Sequence, residues 1–397
     1  MKKLISTALI FCLSFGLLTT VFAKSDTYNG AEYDNLLETN SDALDLDVNA
    51  AYLLEAKTGT VLYSQNQFSK ASPASVTKIM TLLLVAEALA AGSYKLDDVI
   101  SVSEYAASMG GSQVFLEEGE RISVEDLIKC TVIASANDAA VALAELTAGS
   151  EAAFVVRMNK RAHELGLKNT SFENTTGLDD TTVDHYSCAA DIAAMSRELI
   201  KHDIILKYSS VWQDTIRNGE FTLTNTNRLV RYYDGCNGLK TGSTDKAGYC
   251  VSTTAKRGNL QLIAVVMGAK TRDGRNAAAR SLLDYGFSNY TLYEHSEQFI
   301  EDIPVLSGVS ASAPAYSRGF TALVEKSKAS AIELAYEIPE SLVAPINKEQ
   351  VIGKITFKLD GNKIGECDIY SNAQIEKINV FELFLRILTR IICADNS

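Results

Sequence analysis

The chain has 397 residues and a formal net charge of −12, since 49 acidic side chains outnumber 37 basic ones. This excess of negative charge argues against a nucleic acid as partner, because phosphate backbones are bound by clustered Lys and Arg. The body of the protein also gains no attraction from an anionic membrane surface.

The first residues predict an export signal that is removed. Lys2 and Lys3 precede an apolar run that ends at Ala23, a small residue suited to cleavage. A retained membrane helix is the alternative, but the polar, acidic stretch that follows favours a cleaved signal over 1–23. Residues 24–47 carry seven acids against one lysine and show little periodicity, so we expect a mobile acidic tether.

Residues 48–292 alternate between strand-like and helix-like patterns. Strands at both ends with helices between them predict an α/β (α+β) domain of about 245 residues, which is large enough to bury a core. The predicted elements are a hairpin over 49–65, a helix beginning near Pro73, a largely helical insertion over 103–166, a helix over 189–202, strands over 222–228, 236–241, 248–255 and 261–267, and a helix over 276–285.

The cysteines that follow the signal predict neither a disulfide framework nor a zinc site, since no CxxC spacing occurs. They are Cys130, Cys188, Cys236, Cys250, Cys367 and Cys393. If the hairpin that Cys236 and Cys250 flank turns at residues 244–245, Lys240 faces Cys250. The two thiols are then out of register by roughly 13 Å at ~3.3 Å per residue. A disulfide spans only about 4.4–6.8 Å between Cα atoms, so we expect thiols.

An SxxK motif stands at the start of an apolar helical run. Ser75 and Lys78 are three residues apart, so a hydroxyl and an amine share one helix face, and the serine can pass its proton to the lysine and attack a carbonyl. The Ser75 N–H would lie at the positive end of the helix dipole. A surface serine beside a lysine is the ordinary alternative, and a second SxxK spans residues 243–246.

Two further motifs follow in the chain. Ser135, Ala136 and Asn137 form an SxN at the end of an apolar segment, and a KTG over 240–242 ends an alternating strand. Each alone is more often a capped helix end or a hairpin turn. Together, in the order SxxK, SxN and KTG, they are the set shared by penicillin-binding proteins and class A β-lactamases.

Longer strings narrow this resemblance. The block over 50–290 resembles the D-alanyl-D-alanine carboxypeptidases of the low-molecular-mass penicillin-binding proteins (peptidase family S11), through 73–80, 172–178, 185–187 and 240–249. Two residues, Ala136 and Thr175, differ from those usual in the family at these positions, but neither difference removes a reactive group. The resemblance implies a serine β-lactamase/penicillin-binding-protein-like transpeptidase fold. It also implies a small all-β domain and a C-terminal amphipathic helix, and both patterns occur in this order.

The resemblance and the chemistry together assign roles. Ser75 is the expected nucleophile, and Lys78 is its base, provided that burial and the nearby charge of Lys240 lower the lysine pKa. Ser135 would pass a proton to the departing amine, while Asn137 holds Lys78 and the substrate amide. His185 is expected to support a loop, since no histidine lies in a triad-like setting.

One strand is expected to form an edge of the site. Lys240, Thr241, Gly242 and Ser243 lie there, where a peptide can bind by strand addition and a terminal carboxylate can be recognised. The backbone N–H groups of Ser75 and Ser243 would form an oxyanion hole. The resemblance adds Arg275 as a further carboxylate contact. Neither a cofactor nor a metal is expected.

The expected reaction releases the terminal D-alanine of peptidoglycan pentapeptide through an acyl-enzyme, with β-lactam antibiotics as covalent inhibitors. A class A β-lactamase is the nearest alternative, but the ExxLN pattern that carries its glutamate is absent. In the most similar string, 164–169, Lys168 stands where the pattern requires asparagine. A non-enzymatic β-lactam or peptidoglycan sensor is a second alternative. The absence of a spanning helix after residue 371 disfavours it.

The C-terminal part changes texture. Residues 296–374 alternate and predict a small β-domain, with a turn over 359–362. A helix over 376–394 follows, and the fifteen residues 378–392 reach only about 22 Å, short of the ~30 Å hydrocarbon core. Its polar residues fall within roughly a 100° arc. They are Asn379, Glu382, Arg386, Thr389 and Arg390.

So wide an apolar arc favours an interfacial anchor over packing within the molecule or a dimer contact. We therefore expect an exported enzyme that lies peripherally on the outer face of the cytoplasmic membrane.

Overall fold

The computed structural model describes the backbone of residues 44–394 and the side chains of residues 44–388. The predicted signal over 1–23 and most of the predicted tether lie outside the described residues. Residues 44–47 lie against the folded domain, because the Tyr63 hydroxyl donates to the Leu44 carbonyl at 3.3 Å and Lys270 pairs with Asp47 at 2.9 Å. The mobile-tether interpretation therefore does not extend to these four residues.

Helices and strands of the described range are numbered separately along the chain. The helices are α1 Lys78–Ala90, α2 Glu104–Ala107, α3 Val124–Ile133, α4 Asn137–Ala148, α5 Glu151–Glu164, α6 Ala189–Leu199, α7 Asp203–Ser209, α8 Leu229–Tyr232, α9 Arg272–Asn289 and α10 Val380–Ala394. The strands of the N-terminal part are β1 Ala50–Glu55, β2 Val61–Gln65, β3 Val99–Ser101, β4 Arg121–Ser123, β5 Gln213–Ile216, β6 Phe221–Thr224, β7 Cys236–Thr244, β8 Gly248–Arg257 and β9 Leu260–Ala269. Those of the C-terminal part are β10 Tyr290–His295, β11 Gln298–Leu306, β12 Ser312–Ser317, β13 Phe320–Glu325, β14 Glu333–Glu337, β15 Leu342–Val343, β16 Val351–Leu359 and β17 Asn362–Ser371.

A five-stranded antiparallel sheet in the order β2-β1-β9-β8-β7 is the centre of the first domain. Alternation along β1 sends Tyr52 and Leu54 into the larger core, with α1, α3, α4 and α6, and sends Ala51 and Leu53 into a second core with α9. Both faces of the sheet are thus covered. The predicted α/β domain is confirmed, and the KTG strand β7 lies at a sheet edge.

The turn between β7 and β8 does not lie where the sequence analysis put it. Lys240 pairs with Ser252, and Gly242 pairs with Cys250, so the β7–β8 hairpin turns later than predicted. Cys236 still lies far from Cys250 in register, and the five cysteines with described side chains are all thiols.

The strand predicted over 222–228 ends at Thr224. The Asn225 amide donates to the Ser209 and Val211 carbonyls, and the Asn227 amide donates to the Gly238 carbonyl. These side-chain hydrogen bonds replace a strand ladder, because they pin the segment to its neighbours and leave it irregular.

The C-terminal part is all β up to α10, as predicted. Its main sheet has the order β14-β16-β17-β12-β11-β15, around a core that includes Ile303, Ile355 and Phe357. The predicted turn over 359–362 joins β16 to β17. Strand β10 crosses the predicted boundary between 292 and 296 and pairs with β13, so the division of the chain at that point stays a prediction.

Helix α10 begins with reciprocal hydrogen bonds between Asn379 and Glu382, which satisfy two backbone N–H groups. On its polar side, Arg386 contacts the protein, since it donates to the Gly308 and Val309 carbonyls. The side chains of Thr389 and Arg390 lie outside the described range. No single helix among the described residues has the length and apolar character needed to cross a membrane; one bent pair, α4 with α5, meets that test jointly by length and composition.

Candidate active site

Ser75 lies in a 3₁₀ turn, Ala74–Thr77, that runs directly into α1. The regular α-helix therefore begins at Lys78, later than the sequence predicted. Residues i and i+3 of a 3₁₀ turn are nearly eclipsed, so the expected pairing survives, and Ser75 Oγ lies 3.0 Å from Lys78 Nζ. Ala74, just before the serine, has a φ of +47°, a left-handed conformation that marks a constrained site.

Lys78 is fully buried. Besides Ser75, its Nζ contacts Asn137 Oδ1 at 2.6 Å and the Thr176 carbonyl at 2.8 Å. Burial lowers the pKa of Lys78 well below its usual value, and the charge of Lys240 lowers it further, while Asp138 opposes the shift. A neutral amine has two N–H donors for the two carbonyl oxygens, and its lone pair then faces the Ser75 hydroxyl.

Lys240 is a second buried amine beside the first. It donates to Ser135 Oγ at 2.7 Å and to the Thr241 carbonyl at 2.9 Å. Burial, followed by the charge of Arg275, lowers the pKa of Lys240 to about 7. Ser135 has a φ of +62° in the link between α3 and α4. The SxN serine is thus joined to the KTG lysine by a direct hydrogen bond.

Asn137 occupies the first position of α4 and is almost completely buried. Its Oδ1 contacts Lys78, and its Nδ2 donates to the Gly110 carbonyl at 2.6 Å. The structure therefore supports the predicted role of Asn137 in holding Lys78, while its contact with a substrate amide stays a prediction.

Asp138, which the sequence analysis missed, fixes the loop between α2 and β4. Its buried carboxylate accepts from the Val114 and Leu116 N–H groups, each at 3.0 Å. The signal for it was its position directly after the SxN asparagine.

The KTG strand passes directly over the turn that carries Ser75. A Cβ at position 242 would lie 2.8 Å from both the Ser75 nitrogen and the Pro73 carbonyl oxygen, so only glycine allows this approach. The Thr241 hydroxyl donates to Thr226 Oγ1 at 2.8 Å, which ties the strand to the irregular segment beside it. Ser243 is exposed and follows these buried residues.

The segment over 174–185 closes the site from another side and contains a second residue that sequence reasoning missed. Asp179 Oδ2 accepts from Ser72 Oγ at 2.8 Å and from Thr244 Oγ1 at 2.6 Å. It therefore links the chain before the nucleophile to the end of β7. Asp179 directly follows the string 172–178 that carried the resemblance, and this neighbourhood was the available signal.

His185 supports this segment, as the sequence predicted. Its Nδ1 accepts from the Glu173 N–H at 3.0 Å, which leaves Nε2 to donate to Thr77 Oγ1 at 2.8 Å. Burial lowers the pKa of His185 to about 4, so the ring is neutral at pH 7.

A cleft of about 610 Å³ opens over these groups. Of the predicted site residues, those that line it are Ser75, Ser135, Thr241, Gly242, Ser243 and Arg275. Lys78, Asn137 and Lys240 are buried behind this lining. The second SxxK is not a helix: Ser243 is on β7 and Lys246 is exposed in the turn before β8, so the two do not share a helix face.

Comparisons with known proteins agree with this architecture. The family model described as D-alanyl-D-alanine carboxypeptidase matches residues 37–271, and the model for the C-terminal domain of penicillin-binding protein 5 matches 287–377. The D-alanyl-D-alanine carboxypeptidase DacF of Bacillus subtilis is 41% identical over 97% of each chain.

Two solved structures are similar. Penicillin-binding protein 5 of Haemophilus influenzae has 32% identity and a TM-score of 0.72, covering 84% of this chain and 99% of that one. Penicillin-binding protein D2 of Listeria monocytogenes, solved in the ampicillin-bound form, has 33% identity and a TM-score of 0.57, covering 62% of this chain and 98% of that one.

Gly177 should be the most sensitive glycine of the site. It has a φ of +82°, and a Cβ there would lie 1.8 Å from the Ala74 carbonyl oxygen. We expect Gly177→Ala to lower the free energy of unfolding by about 3 kcal/mol or more, from left-handed strain plus the collision. Gly119 is a matched control, since its φ is +78° but nothing lies within 4 Å of the added Cβ.

Gly119→Ala should therefore cost only about 1 kcal/mol, the strain alone. Denaturant unfolding of the two variants measures the difference. Equal losses would contradict the close contact between position 177 and the nucleophile turn.

Proposed function

The chain belongs to the D-alanyl-D-alanine carboxypeptidase family and is a serine D-Ala-D-Ala carboxypeptidase, and we propose that Ser75 is its nucleophile and Lys78 its general base. It acts on the D-Ala-D-Ala terminus of peptidoglycan peptides and binds β-lactams. The observation that carries the assignment is the buried amine of Lys78, held 3.0 Å from the Ser75 hydroxyl with its pKa lowered.

Acylation begins when the Ser75 hydroxyl gives its proton to neutral Lys78 and its oxygen attacks the carbonyl of the penultimate D-alanine. The backbone N–H groups of Ser75 and Ser243 receive the oxyanion, each worth about 3 kcal/mol in comparable enzymes. The amide bond then breaks. The proton that Lys78 received from Ser75 then passes through Ser135, whose oxygen accepts from Lys240, to the departing amine, so D-alanine leaves, Lys78 is neutral again and an ester remains on Ser75.

Substrate binding uses the free edge of β7. An extended peptide can add to this edge as a further strand. The terminal carboxylate then meets Lys240, Thr241 and Arg275, of which Thr241 and Arg275 line the cleft. Asn137 is assigned to the amide on the acyl side, next to Lys78.

Deacylation of the peptide ester requires a water molecule and a base, and neutral Lys78 beside Ser75 can take the proton of that water, which then returns to the Ser75 oxygen as the ester breaks. No carboxylate is among the described residues that line the cleft, and the ExxLN glutamate of class A β-lactamases is absent from the sequence. An ester with a β-lactam is therefore expected to persist. This favours a carboxypeptidase over a β-lactamase, with penicillin as a covalent inhibitor.

We further infer an arrangement along the chain and at the membrane. A signal over 1–23 and an acidic tether precede the catalytic domain over 48–292, the β-domain over 296–374 and an anchor helix over 376–394. Several apolar side chains of α10 point away from the protein, among them Phe381 and Phe384, which are 69% and 60% exposed. Since Arg386 is engaged with the β-domain, binding is expected to rest mainly on this apolar face.

Replacing Ser75 should abolish acylation. Fluorescent penicillin is expected to label the wild type and Ser243→Ala, which keeps its backbone N–H, but not Ser75→Ala. Lys78→Ala should keep the fold and lose labelling, because the base is gone. Labelling of Ser75→Ala would contradict the assignment.

In the wild type, mass spectrometry should show a benzylpenicillin adduct that lasts many minutes, alongside D-alanine release from a pentapeptide. Rapid turnover of the drug without D-alanine release would favour a β-lactamase.

The pH dependence of kcat/KM should be bell-shaped. The rate rises with pH as Lys78 becomes neutral, and falls as Lys240 loses its charge near its pKa of about 7. Burial is the larger cause of the lowered pKa of Lys240, and the positive charge of Arg275 is the second cause. We therefore expect Arg275→Gln to move the alkaline limb to higher pH, whatever it does to KM. Arg121→Gln, at an exposed position, is the control and should leave the alkaline limb in place. An alkaline limb that also stays in place in Arg275→Gln would contradict the role of charged Lys240.

Removing the apolar face of α10 should release the enzyme from membranes. We expect the protein without residues 378–397, and the full chain with Phe381→Ser and Phe384→Ser, to stay in solution when vesicles are sedimented, and to cleave small peptides as before. Val156→Ser is the control, since Val156 is 69% exposed on α5. High salt alone should release little. If a variant unfolds, or if the wild type does not sediment with vesicles, α10 is part of the folded structure and the anchoring proposal is contradicted.

A further inference from the structure

One end of the active-site cleft is strongly basic. Arg228, Arg272 and Arg275 all line it, and among the described residues that form the lining none is Asp or Glu. The protein as a whole carries a net charge of −12. The local charge of the cleft is thus opposite to that of the molecule, and low-dielectric walls concentrate such a field.

The three arginines belong to one neighbourhood. Arg272 and Arg275 lie in the first turn of α9, whose N-terminus adds a partial positive charge. Arg228 comes from the segment before α8, and its Nη1 is 4.0 Å from Asp273 Oδ1. That carboxylate is 90% exposed, so water screens it and it neutralises Arg228 only weakly.

An aromatic wall borders these arginines. Trp212 and Tyr232 both line the cleft, with ring centroids 6.3 Å apart. Arg231, which is not among the residues that line the cleft, lies over both rings, at 5.3 Å and 5.5 Å from their centroids. These two rings and the three arginines thus line one and the same cleft.

We propose that this end of the cleft is a subsite for the side chain of the residue that is released, and that it favours an acidic side chain. The inference rests on the proposed function, in which Arg275 receives the terminal carboxylate. That carboxylate and the side chain of the released residue share one Cα, so the side chain enters the same cleft, which Arg228 and Arg272 also line. Hydrolysis is unchanged: the amide bond breaks, water adds, and an acidic D-amino acid leaves in place of D-alanine.

The test compares pentapeptides that end in D-Ala-D-Glu and D-Ala-D-Gln, which have nearly the same shape, with D-Ala-D-Ala as reference. In the wild type we expect kcat/KM to be about fivefold higher for D-Glu than for D-Gln, as two partly exposed Arg–carboxylate contacts allow. The overall negative charge of the protein opposes this preference, so a preference must arise locally.

The Arg228→Gln/Arg272→Gln double variant should bring the ratio to about one. Arg121→Gln, an exposed arginine outside the cleft, should leave it unchanged. A wild-type ratio of one or less, or a ratio that survives in the double variant, overturns the subsite while D-Ala-D-Ala cleavage still supports the proposed function. If the wild type cleaves none of the three peptides, both the subsite and the proposed function are overturned.

Discussion

The buried amine of Lys78 is the constraint on which the site depends. A charged ammonium in this position would lack solvation, so the fold favours the neutral form that can accept a proton. Three separate parts of the chain supply its partners: the nucleophile turn, the start of α4 and the segment after Asn174. Each must be in place before the amine can be buried without unsatisfied hydrogen bonds. The domain core therefore does more than stabilise the fold, because it sets the proton affinity of Lys78, the proposed base.

Close backbone approach is the second condition. The turn that carries Ser75 lies between Gly242 on β7 and Gly177 on the opposite segment, and a Cβ at either position would strike its backbone. Asp179 then joins the two sides through Ser72 and Thr244. The Ser75 backbone is thereby held at a fixed distance from β7, as the proposed oxyanion site requires.

The sequence was sufficient for features that depend on local spacing or residue chemistry. Ser75 and Lys78 are neighbours in any helical turn, and alternation identified the sheet strands that contain Lys240 and Cys250. Contacts that arise only from tertiary packing were not predictable. The β7–β8 register depends on a turn whose residues allow more than one position, and the end of β6 depends on Asn225 reaching distant carbonyls. Asp138 and Asp179 carried no local signal of the groups they bind.

The charge of the cleft connects catalysis with specificity. A site with no acidic side chain among its described lining residues offers incoming water no carboxylate base, which is why the proposed mechanism expects a β-lactam ester to persist. The same composition leaves the positive charge of Arg228, Arg272 and Arg275 uncompensated within the cleft, and that charge can act on the substrate. A carboxylate placed there to speed deacylation would also weaken the field that holds the anionic end of the peptide. In the proposed mechanism, slow release of β-lactams and recognition of a terminal carboxylate therefore have the same electrostatic cause, the lack of acidic side chains among the described lining residues.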